Sequence, residues 1–370
     1  MIIIISDNDY HYCCHRSILK GEKNMKYWKL AIALLILTLM LVACGSNEDS
    51  NSEGADEATA SEENANETAE EGSSGAYPMT ITPTVTKSEG RDGTAYSFEE
   101  VEFEKMPEKI VVFDYGMLDT LDALGVDGIV GVAKGSTLPS HLEEYASDEY
   151  TNIGTLKEPL LEDIAALEPD VIFISGRQSA FYDQLKEITP NVVFVGTDQN
   201  DYWNTFLDSV DIAAKMFDKE AEAEEHLAKF DSALEEINTL AGNYETSLVT
   251  MYNEGKLSGF ASNSRFGYIY DEYGFKPVTE DIESSSHGSN FGFEAILEFD
   301  PQVLFVIDRT AAINGESNIE KDMENDIIQQ TEAYKNEHII YLDGALWYLS
   351  GGGLQSELAK IEEIINELGQ

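Results

Sequence analysis

The chain has 370 residues, of which 42% are hydrophobic, so it can bury one large core or two medium ones. Its 70 acidic residues outnumber 23 basic ones and give a formal net charge of −47. That charge argues against nucleic acid as a partner, because phosphate binding needs a basic face. Cys13, Cys14 and Cys44 all precede the globular part, which excludes disulfides, thiol chemistry and cysteine-based zinc sites from that part.

The N-terminal region has the pattern of an export signal, which we assign to residues 25–43. A basic start is followed by an apolar run at 30–42 that is too short to span a bilayer comfortably. The run ends in Leu-Val-Ala-Cys, which resembles the processing box of bacterial lipoproteins. The resemblance implies that Cys44 becomes the first mature residue and carries lipid. An ordinary signal peptide with an incidental cysteine is the alternative.

Two segments flank this signal. Residues 1–24 fit nothing that follows, and we interpret them as a non-native upstream extension, with translation starting at Met25. Residues 44–77 consist mainly of small, polar and acidic residues, which cannot bury a core. This composition predicts a disordered acidic tether that would let a folded domain move near a membrane surface.

The remaining chain alternates strand and helix patterns and predicts an α/β fold with two lobes. Residues 78–201 form the first predicted lobe and residues 243–370 the second. In chain order, the main predicted elements are edge strands within 78–104, strand 109–114, helix 118–124, strand 129–132, helix 179–188, strand 192–195, strand 247–252, strand 338–342 and helix 354–368.

One segment occurs in both lobes. Residues 161–177 and 293–309 share a short amphipathic helix, an Asp/Glu-Pro turn and a buried strand that ends at an arginine. Glu162 and Glu294 occupy matching positions at the helix starts. Such a repeat indicates two homologous lobes with mainly parallel sheets.

A helical bridge is predicted between the lobes at residues 202–242. Two apolar faces of helical period run through it, with a possible break at 218–220. Connections within one lobe are far shorter, so this segment is assigned to the link between lobes.

Four basic residues occupy positions typical of ligand contacts. Lys134, Arg177 and Arg309 follow predicted strands, and ligands of parallel α/β sheets bind at the carboxyl ends of strands. Arg265 lies at a predicted helix start, where its charge opposes the helix dipole and an external anion explains it better. Ordinary salt bridges to the abundant acids are the alternative for each residue.

Other candidates have equally good structural explanations. Tyr115 and the Trp347–Tyr348 pair fall at strand ends, and Tyr115 and Trp347 are taken from them as ligand-binding candidates, with core packing as the alternative. First-turn preference for acids explains the two repeat glutamates equally well. Residues 351–353, three glycines, lack the P-loop lysine, so a flexible helix start is preferred over an anion cradle.

Several stretches of the sequence resemble iron–siderophore substrate-binding lipoproteins of ABC transporters. They are GTLKEP (154–159), EPDVIFISGRQS (168–179), SRFGYIYDEYGFKP (264–277), DPQVLFVIDR (300–309) and YLDGALWYLSGGG (341–353). The resemblance covers about residues 105–370 and points to the Gram-positive branch that binds ferric petrobactin and related catecholates. It implies a class III fold of the periplasmic-binding-protein type, with two lobes joined by one long helix.

The resemblance also assigns roles by position. The implied ligand-binding cations are Lys134, Arg177, Arg265 and Arg309, and the implied permease-docking residues are Glu162 and Glu294. It implies no catalysis, no cofactor and no metal held by the protein, because the siderophore supplies the coordination of the iron. The expected protein is a monomer, anchored by lipid to the outer face of the cytoplasmic membrane and partnered by an ABC permease of the iron-siderophore type.

Other functions stay open at this point. Another anionic chelate such as ferric citrate, a corrinoid or haem would suit a basic cleft, although no histidine is well placed as a haem ligand. An α/β metal-cluster enzyme could share the lobe plan, and the missing cysteines argue directly against it.

Overall fold

The structure, a computed structural model, describes residues 77–89, 93–279, 282 and 288–369. The expectations for the upstream extension, the signal peptide, Cys44 and nearly all of the tether concern residues 1–76 and lie outside the described residues. The described residues form one compact unit. In the ranges given above, no helix is long and apolar enough to cross a membrane.

The first lobe is built on a five-stranded parallel sheet. The strands of this lobe are β1 (Met79–Ile81), β2 (Lys87–Glu89), β3 (Ala95–Ser97), β4 (Val101–Phe103), β5 (Ile110–Val112), β6 (Ile129–Val132), β7 (Thr151–Asn152), β8 (Val171–Ile174) and β9 (Val192–Phe194). Its helices are α1 (Tyr115–Ala123), α2 (Leu161–Leu167) and α3 (Tyr182–Lys186), with 3-10 turns at Ser140–Ala146 and Gly176–Phe181. The sheet order is β7-β6-β5-β8-β9, while β1–β4 and β2–β3 form antiparallel ribbons. The central strands are buried throughout, as expected when helices cover both faces of a parallel sheet.

Two helices, α4 (Tyr202–Met216) and α5 (Glu220–Ala241), occupy the predicted bridge. The helical conformation is interrupted between them at Asp218, because its φ of 54° is left-handed and cannot continue a right-handed helix. Phe206 of α4 and Phe230 of α5 are buried and lie 5.7 Å apart between ring centroids. The two helices therefore pack on each other as well as on the lobes.

The second lobe contains a mixed sheet. Its strands are β10 (Ser247–Asn253), β11 (Lys256–Phe260), β12 (Ser289–Phe291), β13 (Val303–Asp308) and β14 (Ile339–Leu342), in the order β12-β11-β10-β13-β14. Its helices are α6 (Tyr268–Asp271), α7 (Phe293–Phe299), α8 (Arg309–Asn314), α9 (Ile319–Met323), α10 (Glu332–Lys335) and α11 (Leu354–Leu368), with a 3-10 turn at Ile328–Gln330 and a π-helical turn at Ala345–Leu349. The predicted α/β class with two lobes is confirmed.

Two strands of this sheet, β11 and β12, were not predicted from the sequence. Strands β10, β13 and β14 are parallel, but β11 returns antiparallel to β10. The connection is a two-residue turn in which Glu254 and Gly255 have φ values of 50° and 80°. Positive φ at both central residues is the hairpin geometry that matches strand twist.

The repeated segment has the same structure in both lobes. Helix α2 followed by β8 corresponds to α7 followed by β13. Both helices end in a left-handed residue, Glu168 with φ 49° and Asp300 with φ 45°. Each of these residues precedes a proline, Pro169 or Pro301, which cannot continue a helix.

The last helix, α11, packs against α1 of the first lobe and against α5. Asp119 of α1 accepts hydrogen bonds from the backbone N–H groups of Gln355 (2.8 Å) and Ser356 (2.7 Å), and so caps α11 from the other lobe. The three glycines that precede α11 carry this crossing. A Cβ on Gly116 would lie 2.4 Å from the carbonyl oxygen of Gly352, so the two backbones touch.

We expect Gly116→Ala to destabilise the protein by about 1–3 kcal/mol, because the new methyl group would overlap the backbone of Gly352. Gly176→Ala is the matched control, since its Cβ would meet nothing within 4 Å, and we expect a change within about 0.5 kcal/mol. Thermal and urea unfolding would measure both. Equal stability of the two variants would contradict the close crossing.

Candidate ligand-binding site

Three of the four predicted cations meet at one residue, Tyr348. Arg177 lies in the turn after β8, and Arg309 begins α8 directly after β13. Arg265 precedes α6. The turn that carries Arg177 is fixed by a capping box, in which the Gln178 side chain accepts the backbone N–H of Ser175 at 2.9 Å.

Tyr348 contacts the three guanidinium groups through different atoms. Its backbone oxygen accepts hydrogen bonds from Nη2 of Arg177 (3.2 Å) and Nη2 of Arg265 (2.6 Å). Its ring lies 4.5 Å from Cζ of Arg265 and 5.0 Å from Cζ of Arg309, within cation–π distance. Nη1 of Arg309 also donates to Oδ1 of Asn253. We call these three arginines and Tyr348 the arginine cluster. Because Arg177 belongs to the first lobe, the cluster joins the two lobes.

The charges in the cluster shift the pKa values of its members. Burial, assisted by the charge of Arg177, lowers the pKa of Arg265 to about 10, so this residue is still a cation at neutral pH. Burial alone would raise the pKa of Tyr348. The side chain of Arg309 and the positive charges of the three arginines outweigh burial and lower that pKa below its ordinary value of 10.0. The site is therefore strongly electropositive.

Local backbone structure brings Tyr348 into this position. It lies in the π-helical turn Ala345–Leu349, and Asp343 accepts the backbone N–H of Leu346 at 2.7 Å at the start of that turn. π-Helical turns are rare and often occur at functional sites. Carbonyl groups at the end of a helical segment lack partners in a following turn, which leaves the Tyr348 oxygen available to the arginines.

Lys134, the fourth predicted cation, makes different contacts. Its ammonium group donates to the backbone oxygens of Ser147 (2.6 Å) and Tyr150 (2.9 Å). It therefore ties together the loop that follows β6, and its contacts are separate from those of the arginine cluster. Its assignment as a ligand contact stays a prediction.

The two aromatic candidates are buried. Tyr115 is 1% exposed and donates its hydroxyl to the backbone oxygen of Ala133 at 2.8 Å, and burial raises its pKa. Trp347 is 2% exposed, and its indole N–H donates to Glu363 at 2.5 Å. Packing explains both side chains as they are placed. The neighbour of Trp347, Tyr348, supplies the aromatic contact to the arginines, and its position just after a predicted strand was the available signal.

Glu162 and Glu294 are exposed and occupy the second positions of α2 and α7. Their matching placement in two lobes agrees with the sequence repeat. Among the residues that the structure describes, no group of three or more His, Cys, Asp or Glu side chains is arranged to hold a metal ion. What the arginine cluster itself offers is positive charge and guanidinium faces.

An α/β protein of two lobes, with arginines from both lobes converging beyond the strand ends, is built as a binding protein for an anionic ligand. The chain belongs to the family of periplasmic binding proteins, and the model of that family matches residues 110–346.

Relatives that are named for their ligands cover between 70% and 92% of the chain. The petrobactin-binding protein YclQ of Bacillus subtilis is 37% identical over 92% of this chain and 98% of its own length. Its crystal structure matches with a TM-score of 0.71 at 38% identity, covering 77% of this chain and 98% of that one. The ferric-anguibactin-binding protein FatB of Vibrio anguillarum is 31% identical over 70% of this chain and 82% of its own. The structure of the catecholate-siderophore-binding protein VctP of Vibrio cholerae matches with a TM-score of 0.64 at 30% identity, covering 76% of this chain and 98% of that one.

We expect Tyr348 to ionise below pH 10.0, before the buried Tyr115. Because its pKa is lower in the folded protein than in the unfolded chain, the stability that it contributes is present above pH 10.0 and is lost as the pH falls through the folded pKa. Carbon-13 NMR titration of labelled tyrosine rings would measure this, with Tyr348→Phe assigning the signal. Arg309→Gln should raise the pKa of Tyr348, and a wild-type value above 10.0 would contradict the cluster.

Proposed function

We propose that this chain is a receptor that binds a ferric siderophore of the catecholate type, such as petrobactin, and delivers it to an ABC permease for iron uptake. The observation that carries the proposal is the arginine cluster, in which three guanidinium groups from two lobes share one tyrosine. The ligands after which YclQ, FatB and VctP are named, which are siderophores or their ferric complexes, support it.

The chemistry of the cluster fits such a ligand. A ferric catecholate is a delocalised anion with planar rings, and guanidinium groups pair with and stack on groups of this kind. Distant acids do not cancel this attraction, since charges are screened over about 8 Å at physiological salt. A formal charge of −47 on the whole chain is therefore compatible with an anionic ligand.

The remaining parts of the proposal concern activity and location. The chain catalyses no reaction and needs no cofactor, because the siderophore coordinates the iron. Lipid on Cys44 anchors it as a monomer at the outer face of the cytoplasmic membrane, with residues 44–77 as the tether. Glu162 and Glu294, one on each lobe, dock onto the permease.

A panel of iron chelates tests the ligand class. We expect quenching of intrinsic fluorescence by ferric petrobactin and ferric complexes of simple catechols at lower concentrations than by ferric citrate, a corrinoid or haem. Tight binding of one of the other compounds, with no response to any ferric catecholate, would overturn the proposal.

Single substitutions test the site. Arg177→Ala, Arg265→Ala and Arg309→Ala should each weaken ferric catecholate binding by roughly 10- to 150-fold, which corresponds to the loss of about 1.5–3 kcal/mol per charged hydrogen bond. Lys215→Ala is the control, because this lysine lies on exposed α4 surface and pairs with Asp211. Unchanged affinity in all three arginine variants would place the ligand elsewhere.

The docking role is tested separately from binding. Glu162→Ala combined with Glu294→Ala should leave siderophore affinity unchanged and impair iron uptake by cells. The matched control combines Asp163→Ala with Glu298→Ala, two exposed acids on the same helices. If both double variants support uptake equally well, the two glutamates are not the docking residues.

A further inference from the structure

Helix α11 carries a fully buried ion pair. Glu357 and Lys360 are 0% and 1% exposed, and Nζ of Lys360 lies 2.5 Å from Oε1 of Glu357. Removing two charges from water is costly, and apolar residues of similar volume often stabilise a fold equally well. Stability is therefore a poor explanation for this pair, and its contacts indicate another role.

Aromatic rings from separate elements surround the ammonium group. Nζ of Lys360 lies 5.8 Å from the ring centroids of Tyr268 and Trp347 and 6.0 Å from that of Tyr202. The hydroxyl of Tyr202 donates to Oε1 of Glu357 at 2.5 Å. These rings come from α4, α6 and the π-helical turn, so one cation contacts the bridge and the second lobe together.

Lys360 holds the π-helical turn on both sides of Tyr348. On the N-terminal side of Tyr348, the ammonium group of Lys360 faces the ring of Trp347. On the C-terminal side, it donates to the backbone oxygen of Gly351 at 3.0 Å. Three residues further along α11, Glu363 accepts the indole N–H of Trp347 at 2.5 Å. Helix α11 thus fixes the segment from Trp347 to Gly351 at its first and last residues.

Tyr348 in turn fixes the arginines. Its backbone oxygen and ring contact Arg177, Arg265 and Arg309, whereas no hydrogen bond, ion pair or ring contact described here joins Lys360 to these arginines. A shift of the turn would move the one acceptor that the arginines of both lobes share.

We propose that Lys360 is a positioning residue for ligand binding, with Glu357 as its counter-ion. By holding Trp347 and Gly351, it sets the position of Tyr348 and hence the spacing of the three guanidinium groups. This role rests on the proposed function, because the spacing matters for an anionic ligand in the cluster.

Two variants test the proposal. Lys360→Met keeps the length of the side chain and removes its hydrogen bond to Gly351. The double variant Glu357→Gln with Lys360→Met also removes the partner charge, so the net charge is conserved and no unpaired charge stays buried. If the single variant does not fold, the double variant carries the test. A shift in the double variant cannot come from a change in net charge.

Two readouts separate positioning from stability. In both variants we expect the pKa of Tyr348, followed by carbon-13 NMR, to rise toward its ordinary value of 10.0. We also expect affinity for the ferric complex of 2,3-dihydroxybenzoate to fall at least tenfold. Ile364→Val is the control, since Ile364 is a buried residue of the same helix that has no part in these contacts, and it should lower the melting temperature only.

The possible results distinguish the two proposals. Variants that melt earlier but keep the wild-type pKa of Tyr348 and the wild-type affinity would show that Lys360 is merely structural. If wild-type protein binds neither this complex nor any other ferric catecholate, the proposed function fails. In that case, an unchanged Tyr348 titration in the double variant would still overturn the positioning role, and a raised pKa would support it.

Discussion

The mutual repulsion of three guanidinium groups is the constraint on which this site depends. Like charges held a few ångströms apart cost several kcal/mol even at an effective dielectric constant near 20. Tyr348 offsets part of that cost with its carbonyl oxygen, which accepts from Arg177 and Arg265, and with its ring face, which Arg265 and Arg309 share. A bound anion would offset more of this cost, so the same repulsion that opposes folding favours the proposed anionic ligand.

The duplicated segment explains how the two lobes contribute equivalent parts. In each lobe a short helix ends at a left-handed residue before a proline, and the following strand leads to an arginine. Arg177 and Arg309 are thus counterparts, and the exposed Glu162 and Glu294 at the helix starts are counterparts too. Arg265 and Tyr348 fall outside the repeat, and they give the cluster its asymmetry.

The periodic features of the fold could be predicted from the sequence, and so could the placement of Arg177 and Arg309 after strands, whereas other single-residue placements could not. The repeat, the bridge and the terminal helix follow from apolar spacing over many residues. A π-helical turn adds a residue to its turn, so the helical period cannot decide which of the adjacent Trp347 and Tyr348 reaches the arginines. The pair Glu357 and Lys360 has the spacing of an exposed helix pair, and only packing against distant elements buries it. The strand β11 depends on a Glu-Gly turn, which is a weaker signal than Asn-Gly.

The cap on the last helix has a consequence for the order of events during synthesis. Asp119 and the rest of α1 contact α11, yet the bridge and all other elements of the second lobe are synthesised between them. The growing chain therefore presents a first lobe whose surface toward α11 is still bare, and the Asp119 carboxylate, which is buried in the complete protein, has not yet met its backbone donors. A protein truncated before residue 354 would keep every strand of both sheets and still lack the cover of α1, which makes unfinished chains targets for chaperones and proteases.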